Sequence, residues 1–118
     1  MGVAEYVLLF SIYMVDALRY DKKQLLVMLK KNMSRFEEIL KKSLREGDVV
    51  TRCSDTQYVV LLPVCNYENG TMVAERIKGS FYREYGKKHV SIEYELKEIF
   101  SQREWKETAM IQERGEIK

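Results

Sequence analysis

An arginine and an aspartate three positions apart are the residues of this chain best suited to hold a ligand. Arg45 and Asp48 are separated by Glu46 and Gly47, near the middle of the 118 residues. The planar guanidinium of arginine donates paired hydrogen bonds to anions and to planar acceptor edges. The alternative interpretation is an ordinary surface pair joined by a weak ion pair. The residue types alone leave both interpretations open.

A polar stretch later in the chain is the second candidate. Ser54, Asp55, Thr56 and Gln57 are consecutive and are followed by Tyr58. Such residues favour a turn, in which Asp55 hydrogen-bonds to its own backbone. Asp55 alone could bind a cation only weakly. The same turn is equally compatible with a loop that contacts a partner.

The remaining reactive residue types do not form a recognisable site. His89 is the single histidine and has no evident nucleophile or acid partner, and Lys87, Lys88 and His89 together are typical of a solvated basic turn. Cys53 and Cys65 lack the spacing of metal ligands. We expect free thiols in a reducing compartment, and no catalytic residue, metal site or cofactor.

The composition is that of a single globular domain. The chain has 46% hydrophobic and 32% charged residues over 118 positions, which suffices for one domain with its own core. The net charge of +2 is too small to argue for nucleic acid. An apolar run at residues 7–10 is too short to span a membrane, and no charged segment precedes it as in a signal peptide. We therefore expect a cytoplasmic domain, 1–118, without membrane or direct nucleic-acid contacts, cut from a longer protein.

The first half of the chain predicts a strand followed by a helix. Residues 6–14 are almost all apolar and β-forming, which indicates a central strand, and residues 15–21 are a connection or a short helical turn. Residues 22–44 carry apolar side chains at helical spacing, and the helix is expected to end at Gly47. Those side chains are Leu25, Leu29, Met33, Phe36, Leu40 and Leu44.

Two β-rich runs follow, with the polar stretch between them. Residues 49–52 and 58–62 are so close in the chain that they predict a hairpin, which Pro63 closes. The second run is apolar without alternation. This pattern predicts a strand that is buried on both of its faces.

The second half repeats the order of helix and strand. Asn66 is expected to cap a helix whose apolar face carries Val73, Ile77, Phe81 and Tyr85. Residues 89–96 alternate between apolar and polar side chains, which is typical of a half-exposed strand at the edge of a sheet. A capping-box pattern predicts a polar tail helix at residues 102–113.

These elements predict an α+β fold. The order β-α-β-β-α-β is that of the ferredoxin-like core, an antiparallel sheet with helices on one face, here extended by a C-terminal helix. In that arrangement the first and third strands are central, and they are the two strands with continuous apolar runs. RNA-binding RRM domains share the order, but the run at residues 58–62 lacks their glycine and aromatic pattern.

The centre of the chain resembles the GGDEF, or diguanylate cyclase, family. That family carries Arg-x-x-Asp, five residues, the Gly-Gly-Asp/Glu-Glu-Phe signature, and an apolar strand that ends in Leu-Pro. Here Arg45 and Asp48 are followed by five residues, then by Ser54-Asp-Thr-Gln-Tyr58, then by a strand that ends in Leu62-Pro63. Residues 74–77 match a common run of the family's next helix. The chain thus resembles a degenerate GGDEF domain.

The resemblance implies a regulatory module without catalysis. In the family the signature glycines approach GTP and the acidic residues hold magnesium, but Ser54, Asp55, Thr56 and Gln57 occupy those positions here. The family uses Arg-x-x-Asp as a product-inhibition site, which implies that Arg45 and Asp48 bind cyclic di-GMP. We therefore expect a module of a bacterial signalling or transcription-regulating protein. It would act by dimerisation, by docking on a neighbouring domain or by cyclic di-GMP binding, or alternatively as an interaction scaffold without a small ligand.

Overall fold

A computed structural model describes residues 5–63 and 66–99 of the chain. These residues form β1 (Glu5–Met14), α1 (Lys22–Ser43), β2 (Val49–Ser54), β3 (Gln57–Leu62), α2 (Tyr67–Tyr85) and β4 (Val90–Ile99). One turn of 3₁₀ helix, Ala17–Arg19, connects β1 to α1. The predicted α+β class and order of elements are confirmed. The predicted C-terminal helix at residues 102–113 and Cys65 lie outside the described residues.

The strands form one antiparallel sheet in the order β2-β3-β1-β4, so the first and third strands are central as predicted. Leu8 of β1 lies opposite Val60 of β3 and Leu96 of β4. Directly opposed residues of an antiparallel sheet point to the same face. This face carries the buried side chains of the sheet and packs against both helices.

The core is centred on aromatic rings from four elements. Phe36 of α1 is fully buried, and its ring centroid lies 5.0 Å from that of Phe10 in β1. Phe81 of α2 and Tyr58 of β3 each lie 5.9 Å from Phe36. Tilted and edge-to-face ring pairs at such distances add stability beyond the burial of apolar area. The aromatic cluster therefore ties both helices to the sheet.

Polar side chains determine where the helices begin, and extended backbone determines where α1 ends. Asp21 Oδ1 accepts from the Gln24 N–H (2.8 Å) while Gln24 Oε1 accepts from the Asp21 N–H (3.1 Å), a capping box. The prediction that α1 ends at Gly47 is wrong, because Leu44 already has extended backbone. Gly47, with a φ of 97°, lies in the turn that leads into β2. Within the described ranges neither helix combines the length and the apolar character needed to cross a bilayer.

The other face of the sheet carries apolar side chains that no described helix covers. The prediction that β3 is buried on both faces is wrong, because its residues alternate between buried and half-buried. Val60 is fully buried against the helices, whereas Val59 and Leu61 are half-buried on the opposite face. We call this opposite face the outer sheet face. Its apolar residues are Val7, Leu9, Val49, Val59 and Leu61.

Candidate functional site

The Arg45 and Asp48 motif forms a closed turn between α1 and β2. The Asp48 N–H donates to the Arg45 carbonyl (3.1 Å), and the Arg45 N–H donates to Asp48 Oδ2 (2.8 Å). No described residue donates a hydrogen bond to the second carboxylate oxygen, Oδ1. The exposed guanidinium of Arg45 makes no ion pair with Asp48 or with any other described residue. The motif is therefore a backbone turn without an ion pair between its two side chains.

A cavity of about 220 Å³ lies beside this turn. We call it the arginine pocket. The end of β3 and one side of α2 complete its walls, because positions 69, 72, 73 and 76 of a helix lie on the same side. The pocket is lined by Arg45, Asp48, Leu62, Pro63, Asn69, Met72, Val73 and Arg76.

Arg76 links the two helices at the edge of the arginine pocket. Its Nη2 donates to the Ser43 carbonyl (3.0 Å), one of the carbonyls that the end of α1 leaves without a helical partner. This bond holds the guanidinium of Arg76 at the end of α1, next to the turn that carries Arg45. No carboxylate within the described residues forms an ion pair with Arg76.

The arginine pocket thus combines two guanidinium groups with a single carboxylate. Apolar side chains of Leu62, Pro63, Met72 and Val73 form much of the remaining wall. Guanidinium groups bind phosphates and planar acceptor edges through paired hydrogen bonds. The available oxygen of Asp48 can accept from an N–H of the same ligand. The arrangement suits a ligand that carries both an anionic group and hydrogen-bond donors.

The polar hairpin turn lies at the far end of β2 from this pocket. β2 has six residues, which at about 3.3 Å per residue separates its two ends by roughly 20 Å. Ser54 Oγ accepts from the Thr56 N–H (3.2 Å), and Gln57 Nε2 donates to Ser11 Oγ of β1 (3.0 Å). Asp55 is exposed, with Oδ1 3.7 Å from the Arg52 guanidinium. The structure therefore does not bring Ser54, Asp55, Thr56 and Gln57 together with Arg45 and Asp48.

Tyr58, the residue that follows the polar hairpin turn, belongs to the core. Its side chain is 2% exposed, and its hydroxyl donates to the Met33 carbonyl (3.4 Å) and approaches the Glu37 carboxylate (3.5 Å). Burial, followed by the negative charge of Glu37, raises the pKa of Tyr58 above its ordinary value. A neutral, buried phenol at this position stabilises the packing of β3 against α1.

The end of β1 presents no group of carboxylates. Ser11 accepts the hydrogen bond from Gln57, while Asp16 and Asp21 both follow the last residue of the strand, Met14. The Asp21 carboxylate caps α1. Within residues 5–63 and 66–99, no three histidine, cysteine, aspartate or glutamate side chains are grouped closely enough to hold a metal ion.

Arg76 and Asn69 are the polar pocket residues that the sequence interpretation missed. Residues 74–77 contribute to the family resemblance, but the sequence gives Arg76 no role. The available signal was the spacing between Asn69 and Arg76, which puts both on one side of a helix. That spacing does not tell which other element this side of the helix faces.

Comparison with solved structures identifies the fold. The chain matches the FimX GGDEF domain from Pseudomonas aeruginosa with a TM-score of 0.64 and 10% identity, over 85% of this chain and 64% of that chain. The chain has a GGDEF-type fold. A DGC protein from Thermotoga maritima matches with a TM-score of 0.55 and 22% identity, over 79% of this chain and 64% of that chain. The chain thus spans less than two thirds of the length of either structure.

A third structure with the same fold contains a ligand. PelD residues 156–455 from Pseudomonas aeruginosa PA14, in complex with c-di-GMP, matches with a TM-score of 0.53 and 18% identity. The match covers 97% of this chain and 39% of that chain. At these identities the similarity concerns the fold alone. No family model and no curated protein matches the sequence.

Proposed function

We propose that this GGDEF-type domain is a non-catalytic regulatory module that binds cyclic di-GMP in the arginine pocket. The observation that carries the proposal is the meeting of Arg45, Asp48 and Arg76 on one cavity, although Arg76 is remote from the other two in the chain. The GGDEF-type fold and the PelD complex with c-di-GMP support it. The module would serve a bacterial signalling or transcription-regulating protein in the cytoplasm.

The chemistry of the ligand matches the pocket. Cyclic di-GMP carries two phosphodiester anions, and the acceptor edge of each guanine takes paired hydrogen bonds from arginine. The opposite edge of guanine offers N–H donors, which Asp48 Oδ1 can accept. Pockets for drug-sized ligands usually have at least about 300 Å³. At about 220 Å³ the arginine pocket would hold one guanine and its phosphate, while the other half of the ligand remains outside.

The absence of catalysis is proposed from the hairpin turn. Ser54 and Asp55 stand where the family has glycines, and Thr56 and Gln57 stand where it has acidic residues. In addition, Ser54 and Gln57 are already engaged in hydrogen bonds with the turn and with β1. A turn with these contacts, and with Asp55 as its single carboxylate, lacks the open backbone and the group of carboxylates that phosphoryl transfer to a bound nucleotide requires.

Calorimetric titration with cyclic di-GMP tests the binding. The wild-type protein should show saturable heat. Arg45→Ala or Arg76→Ala should each remove about 1.5–3 kcal/mol, because a hydrogen bond to a charged group is lost. This corresponds to a roughly ten- to hundredfold loss of affinity. Asp48→Asn should also weaken binding, since the amide is a poorer acceptor for guanine N–H groups.

Arg83→Ala is the matched control for this titration. Arg83 is an exposed arginine in the last turn of α2 and does not line the arginine pocket. Its removal changes the net charge by the same amount as Arg45→Ala or Arg76→Ala, and should leave the affinity for cyclic di-GMP unchanged. Absence of saturable heat at ligand concentrations well above micromolar would exclude the receptor function. An equal loss of affinity in Arg76→Ala and Arg83→Ala would show attraction by net charge alone.

A second candidate function is protein docking without a small ligand. The outer sheet face favours it, because its apolar side chains form an adjoining group on β1, β2 and β3, and Val49 is 51% exposed. The partner would be a neighbouring domain of the same protein or a second copy. Sedimentation analysis of the wild type and Val49→Lys distinguishes a second copy from a neighbouring domain as the partner. A lysine in a homodimer interface should shift the equilibrium to monomer. A monomer at all concentrations would leave only the neighbouring domain.

A further inference from the structure

A second cavity, of about 190 Å³, lies at the other end of the helix pair. It lies between the middle of α1, the C-terminal end of α2 and the loop that leads into β4. We call it the basic cavity. Four basic side chains line it, and no carboxylate belongs to the lining: they are Lys31, Arg35, Lys88 and His89. None of the four makes an ion pair with another described residue.

Neighbouring aromatic rings hold two of the basic groups in place. The Arg35 guanidinium lies 4.6 Å from the centroid of the Tyr85 ring, an arrangement that is favourable for a cation over an aromatic face. The Tyr20 ring contacts His89 edge-on at 6.5 Å. In addition, the His89 carbonyl accepts from the Val15 N–H (2.8 Å), which anchors the loop that carries Lys88 and His89. The Arg35 and His89 side chains are therefore partly ordered before any ligand arrives.

Asn32 supplies a buried polar group to the same cavity. Its side chain is only 7% exposed, and it is the one polar residue among the buried residues that the structure describes. Its Nδ2 donates to the thioether sulfur of Met14 at 3.6 Å, which is a weak acceptor. Buried amides normally have stronger hydrogen-bond partners. A ligand oxygen in the cavity would provide a better acceptor for this amide.

We propose that the basic cavity binds the phosphoryl groups of a small molecule, with a diphosphate as the minimal ligand. Three permanent cations and a histidine suit a multivalent anion better than a single carboxylate. At roughly 30 Å³ per water molecule, about 190 Å³ corresponds to about six waters, which is room for a diphosphate. Arg35 and Lys31 contact the phosphoryl oxygens from α1, Lys88 and His89 contact them from the loop, and Asn32 donates from the cavity floor.

This site is separate from the arginine pocket. The two cavities share no lining residue. Ser43, the contact of Arg76, follows Arg35 by eight positions of α1, which at about 1.5 Å per residue is about 12 Å along the helix. Binding at the basic cavity and binding of cyclic di-GMP are therefore independent proposals, and either can fail without the other.

Titration of the wild-type protein with sodium pyrophosphate at low ionic strength tests the proposal. We expect saturable binding in the calorimeter and shifts of the backbone amide resonances of residues 86–90. Lys88→Gln and Asn32→Leu should each weaken binding by about tenfold, the usual effect of one lost charge-assisted or buried hydrogen bond. Lys88 is exposed, so its replacement leaves the fold intact and keeps the test valid if Asn32→Leu alters packing.

Two control variants distinguish binding of pyrophosphate in the basic cavity from nonspecific attraction of the anion to positive charges on the protein. Lys30→Gln removes a charge from an exposed position of α1 that does not line the cavity, and Arg76→Ala removes one from the arginine pocket. Both should retain the wild-type affinity for pyrophosphate. The proposal is overturned if pyrophosphate does not saturate at millimolar concentration, if Lys30→Gln weakens binding as much as Lys88→Gln, or if Arg76→Ala abolishes it.

Discussion

Two adjacent leucines of β1 test which face of the sheet packs against the helices. Leu8 is fully buried between the sheet and the helices, opposite Val60 and Leu96, whereas Leu9 is half-buried on the outer sheet face. Leu8→Ala should destabilise the fold by about 2–5 kcal/mol, because lost burial is accompanied by a cavity in a packed core. Leu9→Ala should cost only about 1 kcal/mol, since a leucine gains about 1.5–3 kcal/mol from full burial and Leu9 has only part of it.

Equilibrium unfolding in urea measures both values. The two variants should share the wild-type slope and differ in their midpoints, since the same chemical change is made in the same strand. A cost for Leu9→Ala as large as that for Leu8→Ala would show that the outer sheet face is covered in solution. A cost below about 1 kcal/mol for Leu8→Ala would refute the packing of β1 against the helices.

Two further outcomes are expected. The hydrogen bond from the Tyr94 hydroxyl to Glu75 (2.5 Å), together with burial, raises the pKa of Tyr94 from 10.0 to about 12. Neutral Tyr94 thus contributes stability that is complete below pH 10.0 and is lost as the pH rises towards 12. Urea unfolding should therefore show that the free energy of unfolding falls less at alkaline pH in Tyr94→Phe than in the wild type. An equal fall in both proteins would contradict this role. Incubation of the wild type with GTP and magnesium or manganese should give no cyclic di-GMP by chromatography, because Thr56 and Gln57 stand where the resemblance places the acidic residues of the family. Clear product would refute the proposed absence of catalysis.

The order of elements was predictable because each element has a strong local signal. The helical spacing of Met33, Phe36 and Leu40 identifies α1, and all three are buried. The capping box of Asp21 and Gln24, in contrast, stands among lysines and was found only in the structure. Ile39 is also buried, although it lies outside the predicted apolar stripe. The buried side of a helix is therefore wider than the narrow seam that spacing alone indicates.

Whether β3 is buried on one face or on both faces could not be judged from its own sequence. Val59 and Leu61 are apolar, so the run shows no alternation, yet both lie on the outer sheet face. The decisive information is in another strand. Glu95 of β4 lies opposite Leu9, and Leu9 lies opposite Val59, so a charged residue and two apolar residues share one row of the outer sheet face. That relation exists only once the register of three strands is known.

Only part of the arginine pocket could be predicted from the sequence, for a related reason. Arg45 and Asp48 are close in the chain, and their spacing suggested a site. Arg76 joins them from α2, which begins at its Asn66 cap, where the Asn66 Oδ1 accepts from the Asn69 N–H (2.8 Å). Starting there, α2 turns Asn69 and Arg76 towards the end of α1. A rotation of α2 about its own axis by one residue, about 100°, would carry Arg76 away from Ser43. The proposed ligand site therefore depends on the packing of the buried residues Ala74, Ile77 and Phe81 as well as on the arginines themselves.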